Sequence, residues 1–230
     1  MSQSEKENVN EEITSDNSED SEEKEEYEIL SSDSFKYDYN YKIIVIGNSS
    51  VGKTCLTYRA STGEFNDRMP PTLGFDYSPF FLRYKDKILK LEIWDTCGQE
   101  SYRAIIKTFF TNASLAIIVY AIDDENSFLS VEEWVRQCKE KCSPTTKFFL
   151  IGNKVDLDDQ RKVSYEKGKE IMKNNNIEFF IETSAKNGFN VNELFCEVGK
   201  SLYQETLKNS EIDKVSILNN YILLFMNLEY

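Results

Sequence analysis

The sequence predicts an α/β fold: one doubly wound domain with a six-stranded, mostly parallel sheet and helices on both faces. Three observations carry this. Short apolar runs alternate with helix-period segments from Tyr41 to about residue 208. A glycine loop of the form G-x-x-x-x-G-K-[ST], Gly47 to Thr54, follows the first of those runs. The other polar motifs each fall just after an apolar run, beyond the strand ends where such sheets hold ligands.

The first strand is Ile43-Ile44-Val45-Ile46, apolar throughout and therefore buried on both faces. In the loop that follows, Gly47 and Gly52 let the backbone wrap an anion, with N–H groups from Ser49, Ser50, Val51, Gly52, Lys53, Thr54 and Cys55 facing it. Lys53 reaches the outer phosphates, and the Thr54 hydroxyl suits Mg²⁺. The helix that opens there adds its positive end. The bland alternative is a Gly/Ser turn between a strand and a helix.

Next comes an irregular stretch holding Pro70-Pro71. Strands over 73–84 and 88–94 flank the short Tyr84-Lys85-Asp86-Lys87, so this pair is antiparallel. Residues 115–122, 147–152 and 177–181 supply the other strands. Helices fit 102–111, 127–141, 164–174 and 190–208, with Asn126-Ser127 and Ser164 as cap-type residues.

Asp95-Thr96-Cys97-Gly98-Gln99 follows the strand that ends at Trp94. Asp95 is placed to hold Mg²⁺ through water, the Gly98 N–H to reach a γ-phosphate, and Gln99 to orient an attacking water. Asn153-Lys154-Val155-Asp156 follows the run over 147–152; a carboxylate at 156 accepts two N–H donors from guanine and is left unpaired by adenine. Ser184-Ala185-Lys186 offers a backbone N–H to the guanine carbonyl, and the Lys154 and Lys186 stems pack on the base faces. Each motif alone reads as an ordinary polar turn. Their order, each after a strand, selects a guanine nucleotide.

The net charge of −13 argues against a nucleic-acid binder, but it is unevenly spread. Residues 1–40 carry 14 of the 40 acids and 3 of the 27 bases, which leaves the remainder at a net −2. Residues 1–38 are expected to be a disordered acidic extension, 39–208 the folded domain, and 209–230 an apolar tail with helix-like spacing. Five dispersed cysteines and no histidine offer no zinc site or imidazole base and point to reduced thiols in the cytoplasm. No secretory leader or membrane span is expected.

With these motifs in order, the chain resembles a small GTPase of the Ras superfamily, most closely the Rab family, over about residues 40–207. The likeness rests on the run Lys90 to Glu100, on Tyr102-Arg103-Ala104-Ile105 and on Gly74-Phe75-Asp76-Tyr77. It implies a P-loop GTPase domain that cycles between GTP and GDP with Mg²⁺. Lys53, Thr72 and Gln99 would serve catalysis, Phe65 would lie beside the base, and Thr72 would close on Mg²⁺ in the GTP state. Tyr77, Trp94 and Phe109 match an effector-facing aromatic trio, for which plain core packing is the alternative. The resemblance implies an exchange factor, a GTPase-activating protein and effectors as partners. It also implies vesicle-mediated transport, on the cytosolic face of endomembranes. Rival readings are a non-cycling nucleotide-bound interaction protein and a Ras-like signalling GTPase outside membrane traffic.

There are departures. Cys97 replaces the usual alanine, Ser101 a usual arginine, and Ala121 a common aspartate. The last cysteine is Cys196 and the chain ends at Tyr230, so no prenyl site is expected, and Met1-Ser2 does not fit myristoylation. The mode of membrane association is left open.

Overall fold

A computed structural model of the chain describes residues 27–30, 36–72, 74–97 and 109–226. The elements run β1 Tyr27–Leu30, β2 Tyr39–Ile46, α1 Lys53–Thr62, β3 Phe75–Tyr84, β4 Lys87–Thr96 and β5 Leu115–Ala121. They continue α2 Glu125–Leu129, α3 Val131–Lys141, β6 Lys147–Asn153, a 3-10 turn Val155–Gln160, α4 Tyr165–Asn174, β7 Phe179–Glu182 and α5 Val191–Met226. Among the described residues the sheet has seven strands in the order β1-β3-β4-β2-β5-β6-β7. The β1–β3 and β3–β4 pairs are antiparallel and the others parallel.

β2 explains why its sequence is apolar without alternation. It lies between β4 and β5, and both of its faces are covered. Ile43 and Val45 join a core layer with Leu56 and Ala60 of α1 and Leu194, Phe195 and Val198 of α5. Ile44 and Ile46 face the other layer, with Val131, Trp134 and Val135 of α3. Each of these four strand residues is at most 1% exposed, a burial that contributes about 2 kcal/mol per side chain.

Register then aligns the strand ends. Val45 pairs with Asp95, Ile46 with Ile118, Ala121 with Asn153, and Gly152 with Glu182. The chain leaving β2, β4, β6 and β7 therefore emerges at one end of the sheet, where Gly47–Thr54, Asp95, Asn153–Asp156 and Ser184–Lys186 gather.

The structure departs from expectation in several places. The sheet has a seventh strand: β1, inside the expected acidic extension, pairs Tyr27–Leu30 with Phe81–Tyr84. It supplies hydrogen-bond partners to what would otherwise be an open edge, and Glu28 adds an ion pair to Arg83 at 2.9 Å. The single helix expected over 127–141 is two, meeting at Ser130, and its cap is Asp124, whose carboxylate accepts from the Asn126 N–H. Ser127 instead accepts from the Ala121 N–H at the end of β5. Ser164 caps α4 as expected. β4 runs two residues past Trp94, so Asp95 is held inside the ladder. Helix α5 continues through the expected tail to Met226; its 36 residues span about 54 Å. The helix expected over 102–111 lies outside the described residues except for its last turn, where Phe109 and Phe110 are helical. Among the described residues no helix is long and apolar enough to cross a membrane.

Candidate functional site

The loop after β2 is shaped by two close approaches. A Cβ on Gly47 (φ 142°) would lie 2.2 Å from the Val119 carbonyl oxygen, and one on Gly52 (φ 93°) 2.4 Å from Asn153 Nδ2. Only glycine fits either position. Between them Ser50 takes the left-handed conformation at φ 64°. Lys53 opens α1 at 5% exposure, and its ammonium donates to the carbonyls of Gly47 at 3.0 Å and Asn48 at 2.7 Å. Burial pushes its pKa down to about 8, with Asp95 pulling the other way. The Asn48 side chain bolts the loop to the helical layer: its amide donates to Ser130 Oγ at 3.0 Å and its Oδ1 accepts from Trp134 Nε1 at 2.8 Å.

Three expected metal residues converge. The Thr54 hydroxyl donates to Asp95 Oδ2 at 2.5 Å and lies 2.7 Å from the Thr72 hydroxyl, which also reaches Asp95 Oδ2 at 3.2 Å. Thr72 comes from the stretch before β3 and Thr54 from α1, so this contact joins two segments 18 residues apart. Asp95 is 2% exposed, and its Oδ1 has no hydrogen-bond partner among the described residues. Burial raises its pKa, against the bonds from Thr54 and the charge of Lys53. Two hydroxyls and one carboxylate with an orphaned oxygen form a hard-oxygen set that fits Mg²⁺. Among the described residues no group of three or more His, Cys, Asp or Glu could hold a metal otherwise.

At the other end, Asn153 turns inward. Its Nδ2 donates to the Val51 carbonyl at 2.9 Å, and its Oδ1 accepts from the Ala185 N–H and the Thr183 hydroxyl, both at 3.2 Å. The sequence reading gives Asn153 and an unspecified backbone N–H of the Ser184–Lys186 turn to the base; here Asn153 Oδ1 and the Ala185 N–H are engaged with each other, and one Asn153 N–H remains to offer a ligand. Asp156 Oδ1 accepts from Ser184 Oγ at 2.5 Å, and its Oδ2 lies 3.8 Å from the Lys186 ammonium. The Lys154 ammonium pairs with Asp123 at 3.4 Å, and Lys154 adopts a left-handed φ of 70°.

These ends share one cavity of about 350 Å³. Ser49, Ser50, Gly52, Lys53, Thr54, Cys55, Phe65, Thr72, Asn153, Lys154, Asp156, Ala185 and Lys186 line it, joined by Met69, Pro70, Pro71, Thr96 and Cys97. Val51, Asp95 and Ser184 are not in that lining; they are 1%, 2% and 0% exposed and act from behind it. Gly98 and Gln99 lie outside the described residues. Of the aromatic trio, Tyr77 is 39% exposed and Phe109 only 6%, while Trp94 lies between them, edge-on to Tyr77 at 5.6 Å and tilted against Phe109 at 5.9 Å. Phe109 is thus a core residue, and Phe75, 46% exposed and 4.6 Å from it, takes the outer place. Asn48, Arg59 and Trp134 escape sequence reasoning because their partners lie up to 127 residues away.

Comparison with known proteins agrees with this geometry. The sequence model described as Ras family matches residues 42–204. Ras-related protein Rab-8B of Homo sapiens is 39% identical over 166 residues, 72% of this chain and 80% of the relative. Ras-related protein Rab-13 of Rattus norvegicus is 37% identical over 170 residues, 74% and 83%. Ras-related protein Rab-30 of Homo sapiens is 36% identical over 180 residues, 78% and 88%.

Proposed function

This chain belongs to the Ras family, as a Rab-like small GTPase, and on that footing we propose that it is a GTP/GDP switch in vesicle-mediated transport. The observation that carries the reading is the cavity itself. Lys53, Thr54 and Thr72 stand at one end and Phe65, Asp156, Ala185 and Lys186 complete it, so phosphate and base chemistry share one site.

In the proposed cycle Lys53 leaves its two backbone carbonyls for the phosphates, which restore the ammonium charge that burial disfavours. Bound Mg²⁺ would neutralise phosphate charge, with Thr54 and Thr72 as direct ligands and Asp95 acting through water. Thr72 is the mobile member of that set, because it sits on the irregular stretch leading to β3. Hydrolysis releases it, and the surface around Phe75 and Tyr77 changes with it. Gln99 orients the attacking water, and Gly98 holds the γ-phosphate. Turnover is slow until a GTPase-activating protein supplies an arginine, an exchange factor reloads GTP, and effectors read the GTP form. The proposed seat is cytoplasmic, peripheral on the cytosolic face of endomembranes.

The test is equilibrium binding of fluorescent GDP against fluorescent ADP with Mg²⁺, followed by hydrolysis in Gln99→Leu. Tight guanine-selective binding with slowed turnover in the variant is expected. Equal affinity for ADP would overturn the base assignment, and unchanged turnover would overturn the role of Gln99.

A further inference from the structure

Arg59, in the last turn of α1, spends all three guanidinium nitrogens on backbone carbonyls of two different loops. Its Nε donates to Ala185 O at 3.0 Å and one terminal nitrogen to Lys186 O at 2.6 Å. The other terminal nitrogen donates to Gly63 O at 2.6 Å. Ala185 and Lys186 form one wall of the cavity, and Gly63 stands two residues before Phe65, which forms another. Gly188 folds around the same group: a Cβ there would lie 3.6 Å from Arg59 Nε.

We propose that Arg59 is a positioning residue for the base: it clasps the Ser184–Lys186 turn to the Gly63–Phe65 segment and so sets how long a guanine nucleotide stays bound. This rests on the guanine-nucleotide reading of the cavity. A planar fork with donors in fixed directions can hold carbonyls on two loops at once, which a lysine ammonium on a flexible stem cannot reproduce. The Ala185 N–H already bonds to Asn153 Oδ1, so a shift of this turn is transmitted to Asn153 and on to the Val51 carbonyl. Loosening at either loop opens a wall of the base pocket without touching the oxygen cluster at Asp95.

The experiment uses the full chain loaded with a fluorescent GDP in Mg²⁺, comparing wild type, Arg59→Lys and Arg59→Ala for nucleotide release. Single-turnover hydrolysis of bound GTP and the melting temperature are followed alongside. Loss of a charged donor to several carbonyls predicts release roughly tenfold or more faster in Arg59→Ala, with Arg59→Lys between it and wild type. The loss falls on release, with a far smaller change in the rate at which bound GTP is cleaved. Wild-type release in both variants would overturn the proposal. So would release and cleavage changing together in proportion to the fall in melting temperature, the pattern of an ordinary helix-end residue. If Arg59→Ala does not fold, Arg59→Lys alone decides by the same split. A wild-type chain that retains no GDP overturns the guanine-nucleotide reading and this inference with it.

Discussion

Asn153 Nδ2 donates to the carbonyl of Val51 at 2.9 Å, across 102 residues of chain, and that bond joins the phosphate loop to the strand that carries the base motif. With Oδ1 held by Ala185 and Thr183, one buried amide ties three segments together.

Asn153→Ala strands the Val51 carbonyl and the Ala185 N–H in the interior. The expected cost is about 2–3 kcal/mol in denaturant unfolding of the nucleotide-free chain. GDP affinity falls as well, which titration of a fluorescent analogue reads directly.

Thr54 and Thr72 both reach Asp95 Oδ2, but from segments with different freedom. Thr54→Asn is expected to weaken binding of both nucleotides in Mg²⁺. Thr72→Ala is expected to weaken the GTP analogue far more than GDP, because in the proposed cycle hydrolysis releases Thr72. Chelating Mg²⁺ should speed GDP release from wild type and leave little further effect in Thr54→Asn. Dissociation rates with and without chelator check all three.

Lys53 gives a pH signature in the nucleotide- and metal-free protein. Its folded pKa is depressed to about 8 while the unfolded chain keeps the usual 10.5. Between those values the unfolded state holds a proton that the folded state has released, so stability rises with pH across that window. The rise is about 3 kcal/mol from this one group. Urea titrations at pH 8 and pH 10 should show most of it in wild type and lose it in Lys53→Met. Bound GDP should flatten it too, because phosphates keep the ammonium charged.

Removing residues 1–30 takes away β1 and its pairing with Phe81–Tyr84. Tyr27 and Ile29 are 44% and 37% exposed, so little apolar burial is lost and the melting temperature should fall by only a few degrees. Hydrogen exchange at the Phe81–Tyr84 edge should rise sharply, while that of β2 and β5 stays unchanged.

The contrast between these residues shows what a sequence can reveal. Gly47–Thr54, Asn153–Asp156 and Ser184–Lys186 are legible because each is a local string set after a strand whose apolar run is itself visible. The bond of Asn48 to Trp134 and the grip of Arg59 on Lys186 are not, since each depends on residues 86 and 127 positions apart meeting across the layers. Phe109 matches its family pattern by position but is buried, because a string does not say which side of a helix faces the core. β1 is hidden for a third reason: Tyr-Glu-Ile-Leu is too short to show a period, and its strand conformation comes from the open edge it meets.

Tyr27 also fixes where charge enters the fold. Residues 1–26 carry 11 acids and 2 bases, and by chain continuity they are tethered beside Tyr84 at the outer strand of the sheet. Eleven acids against two bases thus put nine net negative charges on the chain that enters the fold at Tyr27. Any attraction this charge exerts on a cationic group is screened over about a Debye length, so it weakens as salt is added.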